Sequence, residues 1–190
     1  MDADDIAAWI YSRARVDEED PPGPVALARR IVSVVRSDTH GPHGAKLDEG
    51  VIHVGRRLEG SALTWLVAHE LAELALRVSD YRGEDIERLA DSGAAAIIMP
   101  RRAFLKHARH LSIADMARLY RVSGTAASLR FGEVTGRPVA VIAPTHVHIR
   151  GEDWEWGDLP GLAKAKAPPE GVDRVRLFDA TKRVRLIVKK

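Results

Sequence analysis

His69, Glu70 and Glu73 lie within Leu66-Val67-Ala68-His69-Glu70-Leu71-Ala72-Glu73-Leu74, a segment whose apolar residues recur at helical spacing. On a helix His69 and Glu73 stand one turn apart and face the same way. In the H-E-x-x-H arrangement two histidines at i and i+4 hold zinc, and the glutamate between them acts on water. Here Glu73 occupies the second histidine's position. Alone, H-E-L-A-E is a weak signal, because a helix with one histidine and two acids is ordinary. Leu66, Val67, Leu71 and Leu74 strengthen it: ionisable groups set among apolar ones need partners, and a metal ion is one such partner. A solvated helical face that includes Arg77 is the competing reading.

Glu87-Arg88-Leu89-Ala90-Asp91 offers a second pair of acids one helical turn apart. Glu87 can supply a third ligand, and Asp91 can orient His69 through its other ring nitrogen. An exposed carboxylate pair beside Arg88 is the plainer alternative. The chain has no cysteine, so any metal must be held by histidine and carboxylate. His69, Glu73 and Glu87 would bring two negative charges to a divalent cation, which weakens it as a Lewis acid relative to two neutral imidazoles. Oxygen ligands also admit manganese, magnesium or calcium beside zinc. An empty site, with Glu73 only a helix-surface acid, stays open.

The elements that must position these residues follow from periodicity and punctuation. Residues 2–15 read as a short amphipathic helix carrying Ile6, Ile10 and Ala14, and the acidic, proline-rich stretch from Asp17 to Pro24 as a loop. A second helix is expected over Val25–Val35, a loop over Thr39–Gly50, and a short strand at Val51–Val54. The site helix starts behind Ser61 as its cap and runs to Val78. Another helix covers Gly83–Ile98 and stops at Pro100, followed by helices near 101–109, 112–120 and 124–133. Beyond Gly136-Arg137-Pro138 the texture turns β-branched, with strands at Val139–Ile142, Thr145–Ile149, Val172–Phe178 and Arg183–Val188, the last two as a hairpin. The division is therefore a main domain over residues 1–137 and a β-rich C-terminal extension over 138–190, an α+β chain with more helix than strand.

Ala68-His69-Glu70-Leu71, Glu87-x-x-Ala90-Asp91 and Ala94-Ala95-Ala96-Ile97-Ile98-Met99-Pro100 together resemble the ImmA/IrrE family of metallopeptidase-like proteins. The resemblance takes in Pro24–Ile31, Gly50–Val54, Ala103-Phe104 and Met116–Ser123, about residues 20–135. It implies a compact zincin-like domain of helices with a small sheet, zinc as the metal, and Glu70 as the residue that activates water. It also implies a protein substrate or partner among repressors of prophage, mobile-element or stress-response genes. Two positions depart from the pattern. Glu73 stands where the family has histidine, giving HExxE for HExxH, and Asp91 stands where it commonly has asparagine. Asp91 can still accept a hydrogen bond from His69, whereas Glu73 bears directly on catalysis.

The other histidines carry weaker signals. His53 on the strand before the site can face a cleft, His107 and His110 follow the site helices, and His146 and His148 alternate on one predicted strand. Ser112–Glu133 has the outline of a helix-turn-helix with Arg130 on its second helix, but Ala126, Ala127, Leu129 and Phe131 there favour packing. Basic residues gather from Arg174 to Lys190, a solvated strand edge or a contact for an anionic partner. The chain lacks a clear aromatic and basic reading surface, which argues against direct nucleic-acid binding. It has no long apolar run to span a membrane, and its acidic start suits the cytoplasm. Trp154 and Trp156 serve packing or an exposed binding edge, and oligomeric state is not encoded legibly. The functional expectation is a metal-dependent endopeptidase acting on a protein such as a transcriptional repressor. Its alternative is a noncatalytic regulator that binds such a partner through a degenerate cleft.

Overall fold

A computed structural model describes residues 1–83, 85–142, 147–150, 172–179 and 182–189, with Ile142 and the last three segments described as backbone. The chain is α+β and divides into two compact units, Met1–Ala103 and Phe104–Lys190. Among the described residues no helix is long and apolar enough to cross a membrane.

The first unit opens with helix α1, Ala3–Ala14. Asp2 and Asp5 cap it reciprocally, each carboxylate accepting the other's backbone N–H at 2.9 Å. Its buried stripe is Ile6, Ile10 and Tyr11, and the Tyr11 hydroxyl donates to the Ile97 carbonyl at 2.7 Å, fastening α1 to the end of a later helix. Helix α2 spans only Pro24–Ala28, and the chain then forms strand β1, Ser33–Arg36. The expected helix over Val25–Val35 is thus corrected. Ile31, Val32, Val34 and Val35 are β-branched, and pairing in a sheet outweighs the segment's weak helical periodicity.

Strand β2, Ala45–Asp48, occupies part of the stretch expected to be a loop, and it pairs antiparallel with β3, Val51–Val54. The hairpin turns at Glu49-Gly50, both with positive φ (45° and 78°), a conformation that glycine supplies at low cost in a two-residue turn. Ala-Lys-Leu-Asp has little strand propensity, so tertiary pairing decides its conformation. β3 also pairs in parallel with β1, giving a mixed sheet in the order β1-β3-β2. Leu47 and Ile52 are register partners, and with Val54 they form the buried face on which the site helix packs.

That helix, α3, spans Gly60–Val78, with Glu59 at the N-cap and no side-chain capping bond, so Ser61 does not cap it as expected. Arg36 secures the entry by donating to the carbonyls of Gly55 and Leu58 at 2.9 and 2.7 Å. Helix α4, Ile86–Ile98, packs along α3 and α1. Its Gly93 permits the close approach: a Cβ there would meet Ile6 Cγ2 at 2.9 Å and Ala72 Cβ at 3.0 Å.

The second unit holds most of helix α5, Arg101–Ala108, then α6, Ile113–Tyr120, and α7, Gly124–Thr135. Ser112 and Ser123 cap the latter two, and Arg121 ends α6 in the left-handed region. Strands β4 (Val139–Ile142), β5 (Val147–Arg150), β6 (Val172–Asp179) and β7 (Lys182–Lys189) form an antiparallel sheet in the order β5-β4-β7-β6. α7 packs on this sheet over the buried Val139, Ala140 and Val141. Trp154, Trp156 and His146 lie outside the described residues.

Candidate metal centre

α3 and α4 together place four side chains of the sequence motif in one cluster. His69 and Glu73 follow each other by one turn on α3, and Nε2 of His69 lies 3.5 Å from Oε1 of Glu73. Glu87, in the first turn of α4, brings Oε2 to 3.5 Å from the same nitrogen. One ligand atom from each of the three residues lies within 4.8 Å of the other two. Asp91, one turn further along α4, holds the opposite ring nitrogen: Nδ1 of His69 lies 2.9 Å from Oδ1 of Asp91.

An ionised carboxylate only accepts, so Nδ1–H of His69 donates to Asp91, and in the neutral tautomer Nε2 then offers its lone pair towards Glu73 and Glu87. Three electron-rich atoms then face one another, an arrangement that a cation between them stabilises. Ligand atoms about 2.0–2.2 Å from a tetrahedral ion stand about 3.3–3.6 Å apart. The two 3.5 Å separations from His69 match that spacing, and with all three atoms within 4.8 Å of one another the group could hold a divalent metal. Three protein ligands leave a fourth position, as in catalytic zinc sites. The His69 and Glu73 side chains are 13% and 15% exposed, whereas Glu87 is 82% exposed, so the cluster meets solvent through Glu87.

Glu70 points away from solvent, and its Oε2 accepts the backbone N–H of Leu47 in β2 at 2.5 Å. Its other oxygen takes no hydrogen bond from the described residues. Burial holds the Glu70 carboxyl above the usual carboxylate range. The Leu47 hydrogen bond opposes this, Glu73 reinforces it, and His69 and Arg77 oppose it. The anchor from Leu47 lies in β2, within the stretch expected to be a loop, and the Glu49-Gly50 dipeptide ahead of Val51–Val54 is the sequence signal for this hairpin.

Arg77 donates to Oε2 of Glu73, so the two oxygens of that carboxylate divide between a guanidinium and the cluster. Of the other candidate histidines, His53 is half-buried on β3 in a T-shaped contact with His40, centroids 5.8 Å apart. His107 bonds the Tyr120 hydroxyl through Nδ1 at 2.9 Å, a packing contact within its own unit, and His110 is exposed. Arg130 is 1% exposed and paired with Glu133 at 3.2 Å, so it cannot extend to a base edge.

A family model matches residues 28–131, more than half of the chain, and describes a peptidase M78, IrrE N-terminal-like domain. The matched stretch contains His69, Glu70, Glu73, Glu87 and Asp91. No curated protein matches the chain.

Proposed function

We propose that this chain, which belongs to the peptidase M78 family of IrrE N-terminal-like domains, is a metal-dependent endopeptidase acting on a protein substrate such as a transcriptional repressor. The convergence of His69, Glu73 and Glu87 beside the buried Glu70 carries this reading. His69 Nε2, Glu73 Oε1 and Glu87 Oε2 would hold the metal, with zinc favoured by the imidazole and by the 3.5 Å spacings. A bound divalent cation supplies Lewis acidity.

The chain's own residues supply the rest. Asp91 fixes the His69 ring so that Nε2 faces the ligand position. Glu70, anchored by Leu47 through Oε2, has Oε1 to take a proton from the water that attacks a peptide carbonyl. It then returns that proton to the departing amine as the C–N bond breaks, so the carboxylate ends as it began. Its raised proton affinity, due mainly to burial, suits a group that must hold the proton between these steps.

A second reading is a noncatalytic regulator that binds a repressor or similar partner through the same surface. Glu73 supports it, since two carboxylates neutralise a divalent cation and reduce its pull on oxygen. The two readings separate in one experiment. Protein purified without chelator or added metal is assayed for metal content and for cleavage of a peptide library, beside Glu70→Gln. The enzyme reading expects metal in both proteins and cleavage by the unaltered chain alone. Metal without cleavage in either would favour the regulator, and absence of metal from both would remove the site.

A further inference from the structure

His69, Glu73 and Arg77 form a line along one face of α3, each one turn from the next. Glu73 is the middle member, with Oε1 towards His69 and Oε2 bonded to Arg77. The Glu73 side chain is 15% exposed, whereas that of Arg77 is 58% exposed, so the guanidinium reaches inward over the carboxylate from solvent. Among the described residues Arg77 is the only lysine or arginine within 4.0 Å of Glu73. An i,i+4 pair of this kind is ordinary on a helix surface. Here its acid is also a candidate ligand, and one that stands where a neutral imidazole would bring no charge.

We infer that Arg77 is a positioning residue that makes Glu73 a one-oxygen, charge-balanced ligand, and that the site thereby selects a small four-coordinate cation of the zinc class over calcium. The inference rests on the metal-site reading above. A free carboxylate can bind a cation through both oxygens, one of the modes that help calcium reach six to eight oxygen ligands at longer distances. Zinc needs only four ligands at short distances. With Oε2 held by Arg77, only Oε1 is presented, which satisfies the second requirement and not the first. The guanidinium also balances the Glu73 charge, so the Glu73–Arg77 pair approximates the neutral ligand that an HExxH site places at i+4.

The test is titration of the full-length protein with zinc alone and calcium alone, by competition against a chromophoric chelator, in the unaltered chain, Arg77→Met and Arg77→Lys. Removing the guanidinium charge strengthens the attraction for any dication, and that effect cancels in the zinc-to-calcium affinity ratio. Denticity does not cancel. Removing a residue that orients a metal ligand typically weakens binding about 10–100-fold, so Arg77→Met should lower the ratio at least about tenfold. Arg77→Lys, which keeps the charge and a donor, should hold it within about threefold. In a Glu73→His background Arg77→Met should leave the ratio unchanged, because no carboxylate remains to orient.

Circular dichroism melts of each variant establish that the fold is intact, as expected for a side chain this exposed. Zinc binding by the unaltered chain with the same ratio in Arg77→Met overturns the role of Arg77 and leaves the metal site standing. No binding of either ion by the unaltered chain overturns both.

Discussion

Nδ1 of His69 lies 2.9 Å from Oδ1 of Asp91, and this bond between α3 and α4 decides which ring nitrogen faces the carboxylates of Glu73 and Glu87. Without the acceptor the imidazole can rotate and exchange tautomers. Asp91→Ala should therefore weaken metal affinity about 10–100-fold while leaving the melting temperature nearly unchanged, since the Asp91 side chain is 59% exposed. Asp91→Asn retains an acceptor oxygen and should fall between the two. Equal affinities across the series, read by chelator competition, would make Asp91 a surface acid only.

Gly93 should be as important to the centre as a ligand, although it carries no side chain. Replacing it by alanine gains up to about 1 kcal/mol in helix propensity. The new methyl would meet Ile6 Cγ2 at 2.9 Å and Ala72 Cβ at 3.0 Å, and overpacking of this kind costs about 1–3 kcal/mol. The clash should win. Ala72 follows His69 on α3 and Gly93 follows Asp91 on α4, so separating the helices there also draws Asp91 from His69. Gly93→Ala is expected to lower both thermal stability and metal affinity, and a variant that melts higher with affinity intact would refute the close-packing account.

The cluster was legible because its members obey a local rule. His69 with Glu73, and Glu87 with Asp91, repeat at one helical turn, and the apolar residues between them fix which helix faces must meet. The small sheet was less legible. β1 and β2 are four residues each, too short for periodicity to separate strand from helix or loop, and each is held in place by pairing with β3. The Leu47 amide that anchors Glu70 was hidden for the same reason, being a backbone group whose direction depends on that pairing. The division of Glu73 between His69 and Arg77 needed coordinates as well, because i,i+4 spacing allows a contact without saying which oxygen takes it.

In the second unit, Tyr120 gives a pH-dependent prediction. Burial pushes its phenol up to about 12, from an ordinary 10.0, with Arg130 pulling the other way. The folded chain keeps the proton where the unfolded chain has released it, so the unfolded state binds fewer protons between these values. The stabilising contribution is then complete below about pH 10 and is lost as pH rises from 10 towards 12. Tyr120→Phe should cost about 1 kcal/mol at neutral pH through the lost His107 bond and should flatten the alkaline decline. Melting curves from pH 8 to 12 that decline equally in both proteins would contradict the assignment.

Glu73→His is the substitution that most directly relates this chain to an HExxH site. Imidazole at the i+4 position replaces an anionic oxygen with a neutral nitrogen, leaving more positive charge on a bound dication and a softer donor set that favours zinc. The same change strips Arg77 of its partner and leaves a guanidinium beside the cation, which opposes the gain. Glu73→His alone should therefore bind zinc only modestly tighter. Adding Arg77→Gln should bring the total gain to at least about tenfold, equivalent to about 1.4 kcal/mol. Zinc content after dialysis and cleavage of a candidate repressor are the two readings, with Glu73→His/Arg77→Gln/Glu70→Gln as the control that keeps metal without the base. If the Glu73→His/Arg77→Gln protein holds more zinc and cleaves while the unaltered chain does neither, then the carboxylate at position 73 is what restrains an otherwise complete peptidase site. If it holds no more zinc than the unaltered chain, the identity of that residue does not govern the metal, and the charge argument made for it fails.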